Sequence, residues 1–265
     1  MHPDSNPKPT GLSFVSEKSA EYDYDSISTG YYDEVFHRAS GSQSKWHHLK
    51  FRHVRHAMPE TFAQHLDIAC GAGTFIGTLN EREKSIGTDI AQAQIDYASQ
   101  RYQTDSHTFQ CVPPGSLPFE DNTFDVVTII ELIEHLEQSV VNDLLAEVSR
   151  ILVPGGKVVL TTPNYASLWP LLEIAVNRLS ELSYADQHIN LFKKKKLLRT
   201  LTDIGFEKCR VTTFQGLAPF SAAIHWKLAD LWQSLENPVL RPAFGFLLFG
   251  YCFTPTPHPP VTHEP

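Results

Sequence analysis

What this chain lacks narrows its function before any motif is read. It has four cysteines in 265 residues, Cys70, Cys111, Cys209 and Cys252, and no C-x-x-C pair, so a zinc finger or a dithiol redox site is not expected. It also lacks basic excess: 22 Lys and Arg stand against 30 Asp and Glu, giving a net charge of −8. Binding to phosphate backbones depends on clustered cations, so a nucleic-acid partner is not expected. No apolar run approaches the roughly 20 residues of a spanning helix. The longest, Pro242 to Thr254, is uncharged, aromatic and broken by two glycines, which suits a buried strand. Its alternative is a membrane- or lipid-facing patch. The polar start Met1-His2-Pro3-Asp4 has no secretory pattern, so the cysteines are expected to be reduced in a cytoplasmic compartment. No internal repeat points to a solenoid.

What is present is an alternation of strand and helix, the pattern of a mostly parallel sheet covered on both faces, an α/β Rossmann-like fold. Strands are expected at Gln64–Ala69, Ser85–Ile90, Thr108–Val112, Phe124–Ile130, Lys157–Thr162, Phe206–Phe214 and Gly245–Phe253. Helices are expected at Lys45–Ala57, Thr74–Asn80, Ala91–Tyr102, Ser139–Arg150 with Ser139 as N-cap, and Lys193–Ile204 closed by Gly205. The domain reading is a disordered tail at 1–10 and an N-terminal helical cover at 11–60. The main domain follows at 61–253, with a substrate-binding insertion at about 163–191, and a second disordered tail runs from 254 to 265.

The most informative run is Leu66-Asp67-Ile68-Ala69-Cys70-Gly71-Ala72-Gly73-Thr74-Phe75, an apolar strand that ends in an acid and a tight glycine turn. Gly71 and Gly73 would let backbone approach a ligand at the carboxyl end of a strand, where open α/β sheets bind ligands. The third glycine of the dinucleotide fingerprint is missing, and Asp67 would repel a pyrophosphate and suit a cationic ligand. Asp89 ends the second strand, twenty-two residues after Asp67. There it can accept hydrogen bonds from both ribose hydroxyls of an adenosine cofactor, or cap the helix that follows.

Together with Leu117-Pro118-Phe119-Glu120-Asp121-Asn122-Thr123-Phe124-Asp125-Val126-Val127 and Leu152-Val153-Pro154-Gly155-Gly156, these residues resemble the class I S-adenosylmethionine-dependent methyltransferases of the type 11 group. The resemblance implies a seven-stranded sheet with its last strand antiparallel. It implies S-adenosylmethionine as cofactor and S-adenosylhomocysteine as product. Carried over by position, Asp67, Ala69, Gly71, Gly73, Asp89, Ile90 and Glu131 would hold the cofactor. The family commonly has an acid for the adenine amino group where this chain has Pro113, so adenine would fall to backbone near Pro114, Gly115 and Ser116. The Pro-Gly-Gly turn is read as structural.

Glu131-Leu132-Ile133-Glu134-His135 follows the fourth strand, at the edge where substrate would meet cofactor. It resembles a run in ubiquinone-pathway O-methyltransferases, which implies a divalent-metal site at Glu131, Glu134 and His135; the alternative places Glu131 beside the cofactor and packs His135 in its loop. His188, in the expected insertion, is the second acid–base candidate, because histidine titrates near neutrality and could take a proton from the acceptor; otherwise it caps and packs. Lys193 to Lys196 read as a solvated face, or as a contact with an anionic substrate or lipid. Upstream, Gly30-Tyr31-Tyr32-Asp33 and Trp46 to Arg52 could form a lid over the cofactor, with His47 and His48 on its surface; plain packing of that helix on the sheet is the alternative. The expected activity is methyl transfer to oxygen of a small or lipid-like acceptor, with peripheral membrane contact as an option. The alternatives are a non-catalytic S-adenosylmethionine-binding protein and a nicotinamide-dependent oxidoreductase.

Overall fold

The computed structural model describes residues 28–113, 115, 117–179, 188–239 and 245–256. The first tail and most of the second lie outside them. The elements run α1 (Tyr31–His37), α2 (Gly41–Ala57), β1 (Gln64–Ile68), α3 (Thr74–Gly77), β2 (Lys84–Asp89), α4 (Gln92–Tyr102), β3 (His107–Cys111), β4 (Phe124–Ile130), α5 (Gln138–Ile151) and β5 (Leu152–Pro163). There follow α6 (Trp169–Leu179), α7 (Lys194–Asp203), β6 (Glu207–Phe214), α8 (Ala218–Ser221), α9 (Trp226–Val239) and β7 (Leu247–Phe253).

The seven strands form one sheet in the order β3-β2-β1-β4-β5-β7-β6. β1 to β5 pair in parallel, and β7 enters antiparallel between β5 and β6. The uncharged aromatic run is therefore an interior strand, and Leu247 to Gly250 are buried, as its composition implies. On one face of the sheet Leu66, Phe124, Val127, Leu145, Leu160 and Leu201 join one core; on the other, α2 brings Val54 and Met58 against Val126, Val159 and Phe249.

Several expectations are corrected. Cys209 and Cys252 are joined as a disulfide, because the antiparallel β6–β7 register, irregular between Glu207 and Arg210, sets their Cα atoms 4.2 Å apart; Cys70 and Cys111 are free. His47 is buried, and burial holds its pKa well below the ordinary value, so it is a neutral interior ring. His48 is half-buried and stacks on Phe36 at 3.9 Å. Ser139 does not cap α5, which starts at Gln138 with Glu137 before it. Thr254, assigned to the second tail, is buried; its hydroxyl donates to the Val153 carbonyl and its N–H to that of Gly156. The helices α1, α6, α8 and α9 were not foreseen as elements. No helix among the described residues is long and apolar enough to cross a membrane.

Candidate active site

The carboxyl ends of β1, β2 and β4 converge on one edge, where the two non-glycine residues that end β1 and β4 have left-handed backbone: Ala69 at φ +59° and Glu131 at φ +54°. Strain of this kind persists where surrounding structure enforces it, and it clusters at ligand sites. The glycine turn between β1 and α3 divides its work. A Cβ on Gly71, at φ +51°, would meet nothing within 4 Å, whereas a Cβ on Gly73, at φ +74°, would lie 2.7 Å from the Phe109 ring and 2.8 Å from the Ala98 methyl group. Gly71 faces open space, and Gly73 is glycine because α4 and β3 press on it.

Asp89 closes this turn from β2. Its Oδ2 accepts the Gly71 N–H at 2.9 Å and its Oδ1 the Ala91 N–H at 3.0 Å, so it holds the turn and starts α4 together. Each oxygen keeps a second lone pair, enough for a vicinal diol. Burial raises its pKa against those two bonds. Ile90 beside it is 38% exposed, a large apolar side chain left on the rim. Gly115 has φ +80°, while Pro114 and Ser116 lie outside the described residues.

Asp67 does not face this space. Only 2% exposed, it points into the sheet toward its β4 register partner Thr128, whose hydroxyl donates to Oδ1 at 2.5 Å. Thr128 Oγ1 is 2.8 Å from His65 Nε2, and His65 Nδ1 is 3.1 Å from Ser85 Oγ, a polar chain across β2, β1 and β4. Burial, helped by the Asp89 charge, lifts Asp67 to about 7; burial lowers His65 to about 3. The expectation that Asp67 meets a ligand cation directly is corrected: its other strand neighbour was already its partner.

Glu131 and Glu134 separate. Lys50 of α2, itself buried, donates to Glu131 Oε2. Glu134 sits on a 3-10 turn, Ile133–His135, 1% exposed, with its Oε2 accepting from the Thr162 hydroxyl at 2.9 Å. Burial and the Glu131 charge push Glu134 up to about 8, making it a neutral acid at pH 7. Its carbonyl accepts the N–H groups of Ile189 and Asn190, both at 3.0 Å, which brings the His188 segment onto the turn. The His135 and His188 rings thus lie 4.9 Å apart. His188 Nδ1 is in contact with the Glu173 carboxylate and lies 2.7 Å from the Tyr165 hydroxyl. Ligand atoms of Glu134, His135 and His188 lie within 4.8 Å of one another, so the candidate metal trio exchanges Glu131 for His188.

Sequence reasoning missed Glu173 and Tyr165, because α6 was read as undifferentiated insertion, and gave no individual role to Asp33 or Lys50. Of the lysine run, Lys193 to Lys195 are exposed, and Lys196 donates to Asn190 Oδ1 and lies 4.8 Å over the Phe192 ring.

Residues 66–160 match the family described as Methyltransferase domain. The ubiquinone/menaquinone biosynthesis C-methyltransferase UbiE of Desulfotalea psychrophila is 33% identical over 105 residues, which cover 38% of this chain and 42% of that protein. A demethylmenaquinone methyltransferase of Staphylococcus saprophyticus is 27% identical over 211 residues, covering 71% of this chain and 88% of the relative. The chain thus spans less than half the length of the first and most of the second. Phosphoethanolamine N-methyltransferase 2 of Haemonchus contortus, solved with S-adenosylhomocysteine, shares the fold with a TM-score of 0.60 at 17% identity, over 91% of this chain and 61% of that one.

Proposed function

Because the chain carries an S-adenosylmethionine-dependent methyltransferase domain of class I over residues 66–160, we propose that it methylates a hydroxyl oxygen of a small, largely apolar acceptor. The observation that carries this reading is His188, held at the carboxyl edge by Glu173 and Tyr165 and set against His135 and the neutral acid Glu134. With Nδ1–H donated to Glu173, the Nε2 of His188 is left as a base for an acceptor hydroxyl. The open space over Gly71, the two N–H bonds that hold Asp89 and its unused lone pairs fit the amino acid and ribose ends of the cofactor. When bound, that cofactor supplies a methyl group on a sulfonium. Gly71 admits it, Asp89 and Ile90 take its nucleoside end, and the α1–α2 cover excludes water; the remaining work is orientation of the two reactants.

The test is His188→Ala. Turnover is expected to fall by about 10²–10⁴, the usual worth of a general base, with S-adenosylhomocysteine affinity unchanged. Unchanged turnover would sink the acid–base role. A carbon acceptor is the second reading, favoured by the names of the two curated relatives, which act in quinone biosynthesis. Deprotonation of a phenolic hydroxyl activates the ring carbon beside it as well, so the same histidine serves both outcomes, and carbon-13 NMR of the product separates a methoxyl from a ring methyl group. The Glu134, His135 and His188 set offers one carboxylate and two imidazoles, a donor set for zinc, manganese or iron. Turnover that chelator abolishes and Mn²⁺ restores assigns these side chains to an ion; turnover indifferent to chelator keeps them as acid and base.

A further inference from the structure

The glycine turn is held at one end by Asp89, through the N–H of Gly71. Its other end is held by a second carboxylate from outside the sheet. Asp33 of α1 is 1% exposed, and its Oδ1 accepts the hydroxyl of Thr74, the residue after Gly73, at 2.9 Å. The same carboxylate accepts from the Tyr97 hydroxyl at 3.0 Å, from Arg101 Nε at 3.1 Å and from the Tyr102 hydroxyl, all on α4. A buried carboxylate is tolerated only when donors repay its lost hydration, and here those donors come from two different elements. The chain entering α1 is pressed onto the same helix: the Gly30 N–H donates to Gln94 Oε1 at 3.2 Å, and a Cβ on Gly30 would lie 2.5 Å from the Tyr97 ring.

α1 is tied in turn to α2, where the Ser44 hydroxyl donates to the Phe36 carbonyl at 3.1 Å. α2 carries Lys50 to Glu131 at the end of β4. The helical cover is therefore fastened along the carboxyl edge at two charged points, Asp33 beside the glycine turn and Lys50 beside β4.

We propose that Asp33 is a positioning residue for the cofactor: through Thr74 it sets the far end of the glycine turn, and it couples closure of the α1–α2 cover to ligand binding. This rests on the reading that the turn holds S-adenosylmethionine. Asp33 touches no reacting atom and acts through Thr74.

Titration calorimetry with S-adenosylhomocysteine, at a temperature where every variant is folded, tests it. Asp33→Asn and Thr74→Val are each expected to weaken binding by about tenfold, the scale of a hydrogen bond to a charged group. The double variant is expected to be no weaker than the worse single, because both remove one interaction. Thr74→Ser keeps the hydroxyl and should bind like wild type. Tyr97→Phe removes a donor that does not touch the turn; it should lower the melting temperature while leaving affinity within about twofold. Backbone amides of residues 28–57 should exchange faster in Asp33→Asn, and the slowing that the ligand brings in wild type should shrink. If Asp33→Asn and Thr74→Val melt lower yet bind as wild type does, the cluster is packing alone and the proposal is overturned. Should Asp33→Asn fail to fold, the Thr74 pair decides. A wild-type protein that binds no S-adenosylhomocysteine overturns the cofactor reading first, before any variant is made, and the positioning role with it.

Discussion

Adding one methyl group at Gly71 and at Gly73 separates ligand approach from folding. Both glycines are left-handed, so alanine at either carries the same backbone penalty of about 1–2 kcal/mol. The surroundings then differ. At Gly71 the new Cβ meets no protein atom within 4 Å, and at Gly73 it sits 2.7 Å from Phe109 and 2.8 Å from Ala98. Overpacking of that kind adds about 1–3 kcal/mol, since Phe109 is walled by β3 and Ala98 by α4. Gly71→Ala should therefore cost about 1–2 kcal/mol and Gly73→Ala about 2–5 kcal/mol. At about 2–4 °C per kcal/mol for a chain of this size, the melting point should fall by roughly 5 °C in the first and by clearly more in the second. Binding should rank the other way among folded protein. The Gly71 N–H is fixed by Asp89, so the turn cannot retreat from the added methyl, and affinity for S-adenosylhomocysteine should weaken at least about tenfold, or about 1.4 kcal/mol. Differential scanning calorimetry and titration calorimetry on the two variants give both orders. A Gly71→Ala protein that binds as tightly as wild type would show that the open space is not the ligand's path.

Asp89→Ala should weaken S-adenosylmethionine binding by about 1.5–3 kcal/mol, measured by equilibrium dialysis, with some further loss because the Gly71 and Ala91 N–H groups lose their acceptor; equal affinity would remove Asp89 from the cofactor's contacts. Asp67 is raised in the fold from 3.8 to about 7, so between those values the folded state holds a proton that the unfolded state has lost, and this residue makes stability fall as pH rises through that window. Asp67→Asn, which keeps an acceptor for the Thr128 hydroxyl, should flatten that limb of a urea-denaturation profile and be more stable than wild type near pH 8; an unchanged slope refutes the assignment. His65 works oppositely: lowered to about 3, it contributes stability that is complete above 6.5 and is lost as pH falls toward 3, so His65→Gln should reduce acid sensitivity in the same profile. At Ala69, φ +59° disfavours a β-branched side chain, so Ala69→Val should lower the melting point by more than Ala69→Gly, and equal melting would mean that the strain is not real.

The sequence by itself determined the order of strands and helices, the interior place of the aromatic run, the turn after β1 and the acid that ends β2. Each of these is written in neighbours along the chain: apolar runs of strand length, glycines where direction reverses, an acid at a strand end. Phe124–Ile130 even had its final bounds. The separation of Asp67 from the ligand space, the pairing of Cys209 with Cys252 and the replacement of Glu131 by His188 beside Glu134 were decided only by tertiary structure. Asp67 alternates with its neighbours as any strand residue does, but that it meets a threonine depends on β4 lying beside β1 in one particular register. Gly71 and Gly73 look alike in sequence and differ only because α4 and β3 close on one of them. His188 reaches His135 because two N–H groups dock on the Glu134 carbonyl, a contact that composition and spacing do not encode. Local propensity acts over a few residues, whereas these partners are brought together by sheet register and helix docking.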